Sequence, residues 1–124
     1  MPDHNKTNQR PNILVIISDQ QRRDSLGCYG NDWIETPALN ALADRSYVFE
    51  NAYVMQAVCT PARATLMTGL YPHSAKVVRN SQPGRWMSNL PEDVRTIAEM
   101  APDEYVCAKF GKWHLGDDLI PQHG

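Results

Sequence analysis

The chain has 124 residues, room for one small domain with a modest core. Its 12 Lys and Arg against 14 Asp and Glu leave a formal charge of −2, which lacks the basic excess expected of a nucleic-acid binder or a membrane-surface protein. No apolar run approaches the roughly 20 residues that span a bilayer.

Residues 1–11 read as a disordered, polar lead-in. They lack the apolar core of a signal peptide, so a cytoplasmic location is expected for a chain with no further leader. The β-branched run Asn12 to Ser18 has the pattern of a central strand buried on both faces of a parallel sheet. A polar stretch follows from Asp19 to Asn31, with Gly27 and Gly30 as turn points. Thr36-Pro37 opens a predicted helix through about Arg45, with Leu39, Leu42 and the alanines facing inward. Tyr47 to Val54 is a predicted second strand. A helix then begins near Cys59, with Thr60 as cap, Pro61 at the first helical position and Gly69 as the stop. Residues 78–91 read as a loop. A short helix is predicted over about Asp93 to Met100, closed by Pro102, and a third strand over Tyr105 to Phe110. Strands alternating with helices predict an α/β fold, a mostly parallel sheet sandwiched by helices.

The three cysteines, Cys28, Cys59 and Cys107, are odd in number and widely spaced. That argues against a disulfide framework, and no Cys-x₂-Cys pair suggests structural zinc. Cys28 and Cys107 read as small buried hydrophobes. Cys59 differs because of its surroundings. A helix starting beside it would turn N–H groups and the positive end of its dipole toward the thiol. Arg63, one turn further on, can reach the same place. The combination suits an anion held beside a reactive group.

The run Cys59-Thr60-Pro61-Ala62-Arg63-Ala64-Thr65-Leu66-Met67-Thr68-Gly69 resembles the type I sulfatase signature. Cys59, Pro61, Arg63, Leu66, Thr68 and Gly69 all match it. Gly111-Lys112-Trp113-His114-Leu115-Gly116 resembles the second sulfatase signature. Upstream of it the match is poorer, with Glu104-Tyr105 and Cys107 where the family has Gly-Tyr and Thr. The resemblance covers Pro11 to Gly124 and implies an alkaline-phosphatase-like fold. Sulfatases are several times longer, so residues 12–124 are expected to be the N-terminal part of a catalytic domain, inactive alone.

The resemblance also implies chemistry. Cys59 would be oxidised to formylglycine by a formylglycine-generating maturation enzyme, and its hydrated aldehyde would attack the sulfur of a small-molecule or saccharide sulfate ester. Lys112 would bind a sulfate oxygen, while His114 would hydrogen-bond the nucleophile or move a proton. Lys112 and His114 lie on one side if the backbone there is extended. Asp19 and Gln20, expected at the carboxyl end of the first strand, would join the modified residue 59 around a divalent metal, Ca²⁺ or Mg²⁺. On the residues alone, an Asp after a buried strand is more often a turn or helix cap.

Many sulfatases carry Asp-Asp where this chain has Asp19-Gln20. Asp-Gln also occurs in choline-sulfatase-like and phosphonate-monoester-hydrolase-like relatives. A phosphonate or phosphodiester hydrolase using the Cys59 thiolate therefore stays open, as does a non-catalytic anion-binding module. His73 reads as structural or solvent-facing. Trp33, Trp86 and Trp113 read as packing residues, with Trp86 in a loop that could line a pocket.

Overall fold

A computed structural model describes residues 10–117 and 119–123. The expected lead-in falls almost wholly outside them. The chain divides into two compact units, Met1–Val48 and Phe49–Gly124. Among the described residues no helix is long and apolar enough to cross a membrane.

The first unit holds two 3₁₀ turns, Arg23–Ser25 and Gly27–Tyr29, and helix α1, Pro37–Ala43. Pro37 stands in the first turn of α1, where its missing N–H has no intrahelical use. Gly30 ends the second 3₁₀ turn at φ 93°, a left-handed angle that costs glycine little. The Thr36 hydroxyl accepts the Gly27 N–H at 2.9 Å and ties the turn to the helix start. Leu39 and Leu42 are about half exposed rather than turned inward. Trp33 is 90 % exposed, so it is not a packing residue within this unit.

The second unit contains α2, Cys59–Thr68, and α3, Ile97–Met100. Its core is Ala64 on α2, Ala75 and Val77 beyond it, Leu90 and Val94 before α3, and Leu115, with Met67 and Trp113 packed alongside. Thr60, Pro61, Ala64 and Thr68 form the buried stripe of α2 at helical spacing. Gly69 stops the helix at φ 72°, its N–H bonded to the Thr65 carbonyl at 2.8 Å, as expected from the sequence.

α3 starts at Ile97, later than the predicted Asp93. The reason is local. Thr96 and Glu99 form a capping box, with the Thr96 N–H donating to Glu99 Oε2 at 2.8 Å. That Thr-x-x-Glu spacing outranks the acidic start at residues 92–93.

The predicted strands do not form: among the described residues no strand is present. The fold read as a sheet sandwiched by helices is therefore, over these residues, helices and turns without the sheet. A β-branched run carries strand propensity, but a strand exists only through its ladder with a neighbour. Ile13, Leu14, Val15, Ile16 and Ile17 are between 47 % and 84 % exposed. Val106 and Phe110, in the expected third strand, are almost fully exposed.

Candidate functional site

Helix α2 places two of the sequence-predicted residues. Cys59 is its first residue and is half-buried, with Val58 in the extended conformation before it. Arg63, also half-buried, follows one turn later on the same face. The expected cap is corrected by two residues. Val58, not Thr60, is the N-cap residue, and its carbonyl accepts the Ala62 N–H at 3.0 Å. Pro61 therefore sits at the third helical position, still within the turn that tolerates it.

That register changes what the helix end offers. Pro61 has no N–H, and the Thr60 N–H donates to Asn80 Oδ1 at 3.2 Å. In return the Thr60 hydroxyl accepts the Ser81 N–H at 3.0 Å. Thr60 is fully buried, so its end of both bonds is shielded from water, while Asn80 is exposed. Ser88, also fully buried, holds the same loop by donating toward the Gln82 and Arg85 carbonyls. The 78–91 segment is a loop, as its composition predicts, and its physical task is to secure the start of α2. Residue 59 lies within the first turn of the helix, and the Thr60 N–H is already committed.

Arg63 Nη1 donates to the main-chain carbonyl of Lys112 at 2.8 Å. This bond joins the two stretches carrying the sequence motifs. The Lys112 carbonyl also accepts from Lys109 Nζ at 2.8 Å, and Lys109 Nζ reaches the Gly111 carbonyl at 3.0 Å. Gly111 has φ 86° and His114 φ 58°. The backbone is thus not extended through this stretch, and the alternation argument that set Lys112 and His114 on one side does not apply. The Lys112 residue is exposed, whereas His114 is half-buried with its Nδ1 shielded from solvent. Trp113 packs against the core and donates from Nε1 to Gln122 Oε1 at 3.3 Å. It is the one tryptophan of the three that packs as expected; Trp86 is exposed, with the Arg79 guanidinium 6.0 Å from its ring centroid.

Asp19 and Gln20 belong to the first unit, where they occupy an exposed bend instead of a strand end. Gln20 has φ 53°. A calcium ion takes six to eight oxygen ligands and magnesium an octahedron. A carboxylate and an amide do not complete either shell. No group of three or more His, Cys, Asp or Glu side chains that could hold a metal occurs among the described residues. The residues present therefore do not by themselves fit a divalent metal.

All three cysteines are free thiols. Cys28 and Cys107 are exposed, which corrects their reading as buried hydrophobes. His73 is exposed and stacks on Tyr71 at 5.8 Å between ring centroids, consistent with a structural or solvent-facing role. Sequence reasoning did not single out Lys109, Asn80 or Thr96. The Thr96-x-x-Glu99 spacing was a usable signal; Lys109 and Asn80 carry no motif.

A family profile described as Sulfatase matches residues 11–118. The chain is similar to steryl-sulfatase of Homo sapiens, at 36 % identity over 86 % of this chain and 19 % of that protein. It is similar to N-acetylgalactosamine-6-O-sulfatase of Bacteroides thetaiotaomicron, at 35 % identity over 98 % of this chain and 24 % of that protein. Arylsulfatase A of Homo sapiens is 38 % identical over 86 % of this chain and 21 % of its own length. The chain thus spans about a fifth to a quarter of the length of these relatives. No solved structure matches it. With both motif stretches inside the matched span, and with similarity to several sulfatases over most of the chain, the protein belongs to the sulfatase family.

Proposed function

We propose that this chain supplies the nucleophile and the first anion contacts of a sulfatase that hydrolyses a sulfate ester. The observation that carries the reading is the 2.8 Å bond from Arg63 to the Lys112 carbonyl, which fastens the cysteine-bearing helix to the Lys-Trp-His stretch. Sulfatase names among the relatives support the reaction class. Names that specify steryl or N-acetylgalactosamine substrates belong to those proteins, and the alcohol here is an organic or saccharide hydroxyl.

A sulfate ester is an anion that repels nucleophiles. Its hydrolysis needs that charge balanced, a nucleophile in line with the leaving oxygen, and a proton for the departing alcohol. In this reading, formylglycine made from Cys59 by a maturation enzyme supplies a geminal diol, one hydroxyl to attack sulfur and one to release the sulfate. Arg63 holds the sulfate oxygens near the start of α2 through its remaining guanidinium N–H groups. The Lys112 ammonium adds a second positive contact. His114 exchanges a proton with the nucleophile through an imidazole nitrogen. Asp19 and Gln20 remain candidate oxygen donors to a metal shell whose other members lie elsewhere, and no step is assigned to that shell. Because the described donor set is incomplete, the 124-residue chain alone is expected to be inactive.

The test compares hydrolysis of an aryl sulfate and an aryl phosphonate by the full-length native protein. Preference for the sulfate supports the reading. Preference for the phosphonate, with Cys59 still a thiol, would transfer it to the phosphonate or phosphodiester hydrolase alternative that Asp19-Gln20 keeps open. No turnover of either ester would favour a non-catalytic anion-binding module.

A further inference from the structure

Residues 111–114 form a turn that side chains from outside it hold in place. Gly111 and His114 both have positive φ, 86° and 58°. Glycine adopts such angles freely, but a histidine does so only where its surroundings impose them. The exit of the turn is pinned by Leu115, fully buried, whose carbonyl accepts the Leu90 N–H at 2.7 Å. The entry is held by Lys109. Its ammonium donates to the Gly111 carbonyl at 3.0 Å and the Lys112 carbonyl at 2.8 Å. The same nitrogen lies 5.4 Å from the Trp113 ring centroid, within cation–π range. Arg63 meets Lys109 on the Lys112 carbonyl from the side of α2.

We propose that Lys109 is a positioning residue: seated on the carbonyls of Gly111 and Lys112, its ammonium fixes the turn that presents Lys112 and His114. The functional importance of the turn rests on the sulfatase reading above; the clamp itself does not. An ammonium spent on two carbonyls and a ring face acts through the groups it holds. It also explains how a left-handed histidine is kept next to the exposed Gly111 and Lys112. An arginine at 109 can retain these contacts, because it keeps the charge and several N–H donors. A methionine keeps the aliphatic stem and loses all of the donors.

The experiment compares wild type, Lys109→Met and Lys109→Arg in the full-length native protein, by aryl sulfate kinetics and by amide hydrogen exchange. Lys109→Met is expected to lower kcat roughly 10- to 100-fold with little change in KM, as expected for a misplaced contact group. Exchange at Leu90, whose N–H donates to the Leu115 carbonyl at the exit of the turn, should accelerate. The melting temperature should stay close to wild type, because Lys109 is exposed and outside the core. Lys109→Arg should restore both kcat and exchange protection. Unchanged exchange in Lys109→Met overturns the proposal, and so does an equal loss in Lys109→Arg. If wild type turns over no sulfate ester, the functional reading fails, while faster exchange in Lys109→Met still sustains the clamp.

Discussion

Arg63 and Lys112 stand 49 positions apart in sequence, and the guanidinium of one donates to the main-chain carbonyl of the other at 2.8 Å. Arginine can do this and still hold an anion, because its planar fork carries five N–H donors. Lysine's compact ammonium lacks the planar fork that reaches a carbonyl on one side and an anion on the other. Arg63→Ala is therefore expected to reduce kcat/KM on an aryl sulfate by roughly 100-fold or more, the range for losing one donor to a developing oxyanion. Arg63→Lys should recover little of it. Near-wild-type kinetics in Arg63→Lys would contradict the dual role.

At the start of α2 the Thr60 N–H donates to Asn80 Oδ1, and the Ser81 N–H donates to the Thr60 hydroxyl. Thr60→Val keeps shape and removes the hydroxyl that accepts the Ser81 N–H. It should cost about 1–3 kcal/mol, the penalty for a buried group left unsatisfied. Asn80→Ala should cost about 1 kcal/mol, as for the loss of a helix cap. Chemical denaturation of the native protein measures both. The two substitutions remove different hydrogen bonds, so the departure of the double variant from the sum of the single changes measures how far the two bonds support one another.

Gly69 ends α2 at φ 72° with no atom close enough to obstruct a Cβ. The penalty for a side chain there is conformational and not steric crowding. Gly69→Ala should destabilise by about 1–2 kcal/mol, and Gly69→Asn by less, since asparagine tolerates left-handed angles. Denaturation midpoints of the two variants give the comparison.

Helix positions were legible in the sequence wherever a local device marks them. Pro37 marks the start of α1, and Gly69 the end of α2. The two motif stretches were legible because each is contiguous. What was not legible depends on partners. The run Ile13 to Ile17 has the composition of a buried strand, yet composition does not supply the neighbouring strand that would bury it. The left-handed angle at His114 has no signal in a non-glycine residue, so the sequence did not show that the extended backbone on which a shared side for Lys112 and His114 depends is not adopted. The securing of residue 60 by residue 80 joins distant positions through a loop whose composition predicts only that it is a loop.

The hydrogen bonds of Glu99 set the sign of a pH dependence in the fold. Its carboxyl titrates below the ordinary value chiefly because it accepts the Thr96 N–H, with the Thr96 hydroxyl and the His123 ring, 3.5 Å away, adding to the effect against partial desolvation. A carboxyl with a folded pKa below its unfolded pKa stabilises the fold when ionised. That contribution is complete above the unfolded value of about 4.3 and is lost as pH falls through the lower folded value. Glu99→Gln should therefore be less stable than wild type at neutral pH, with the difference closing on acidification below about pH 4. Denaturation curves for both proteins across that range test it. A gap that widens in acid would contradict the assignment.

The most direct test of the central claim is peptide mass spectrometry over Val58 to Arg63 in the native protein, paired with aryl sulfate turnover. The account predicts that active protein carries an aldehyde at residue 59 in place of the thiol, and that Cys59→Ala turns over no sulfate ester. Full sulfatase activity from protein whose residue 59 is an unmodified thiol would contradict it.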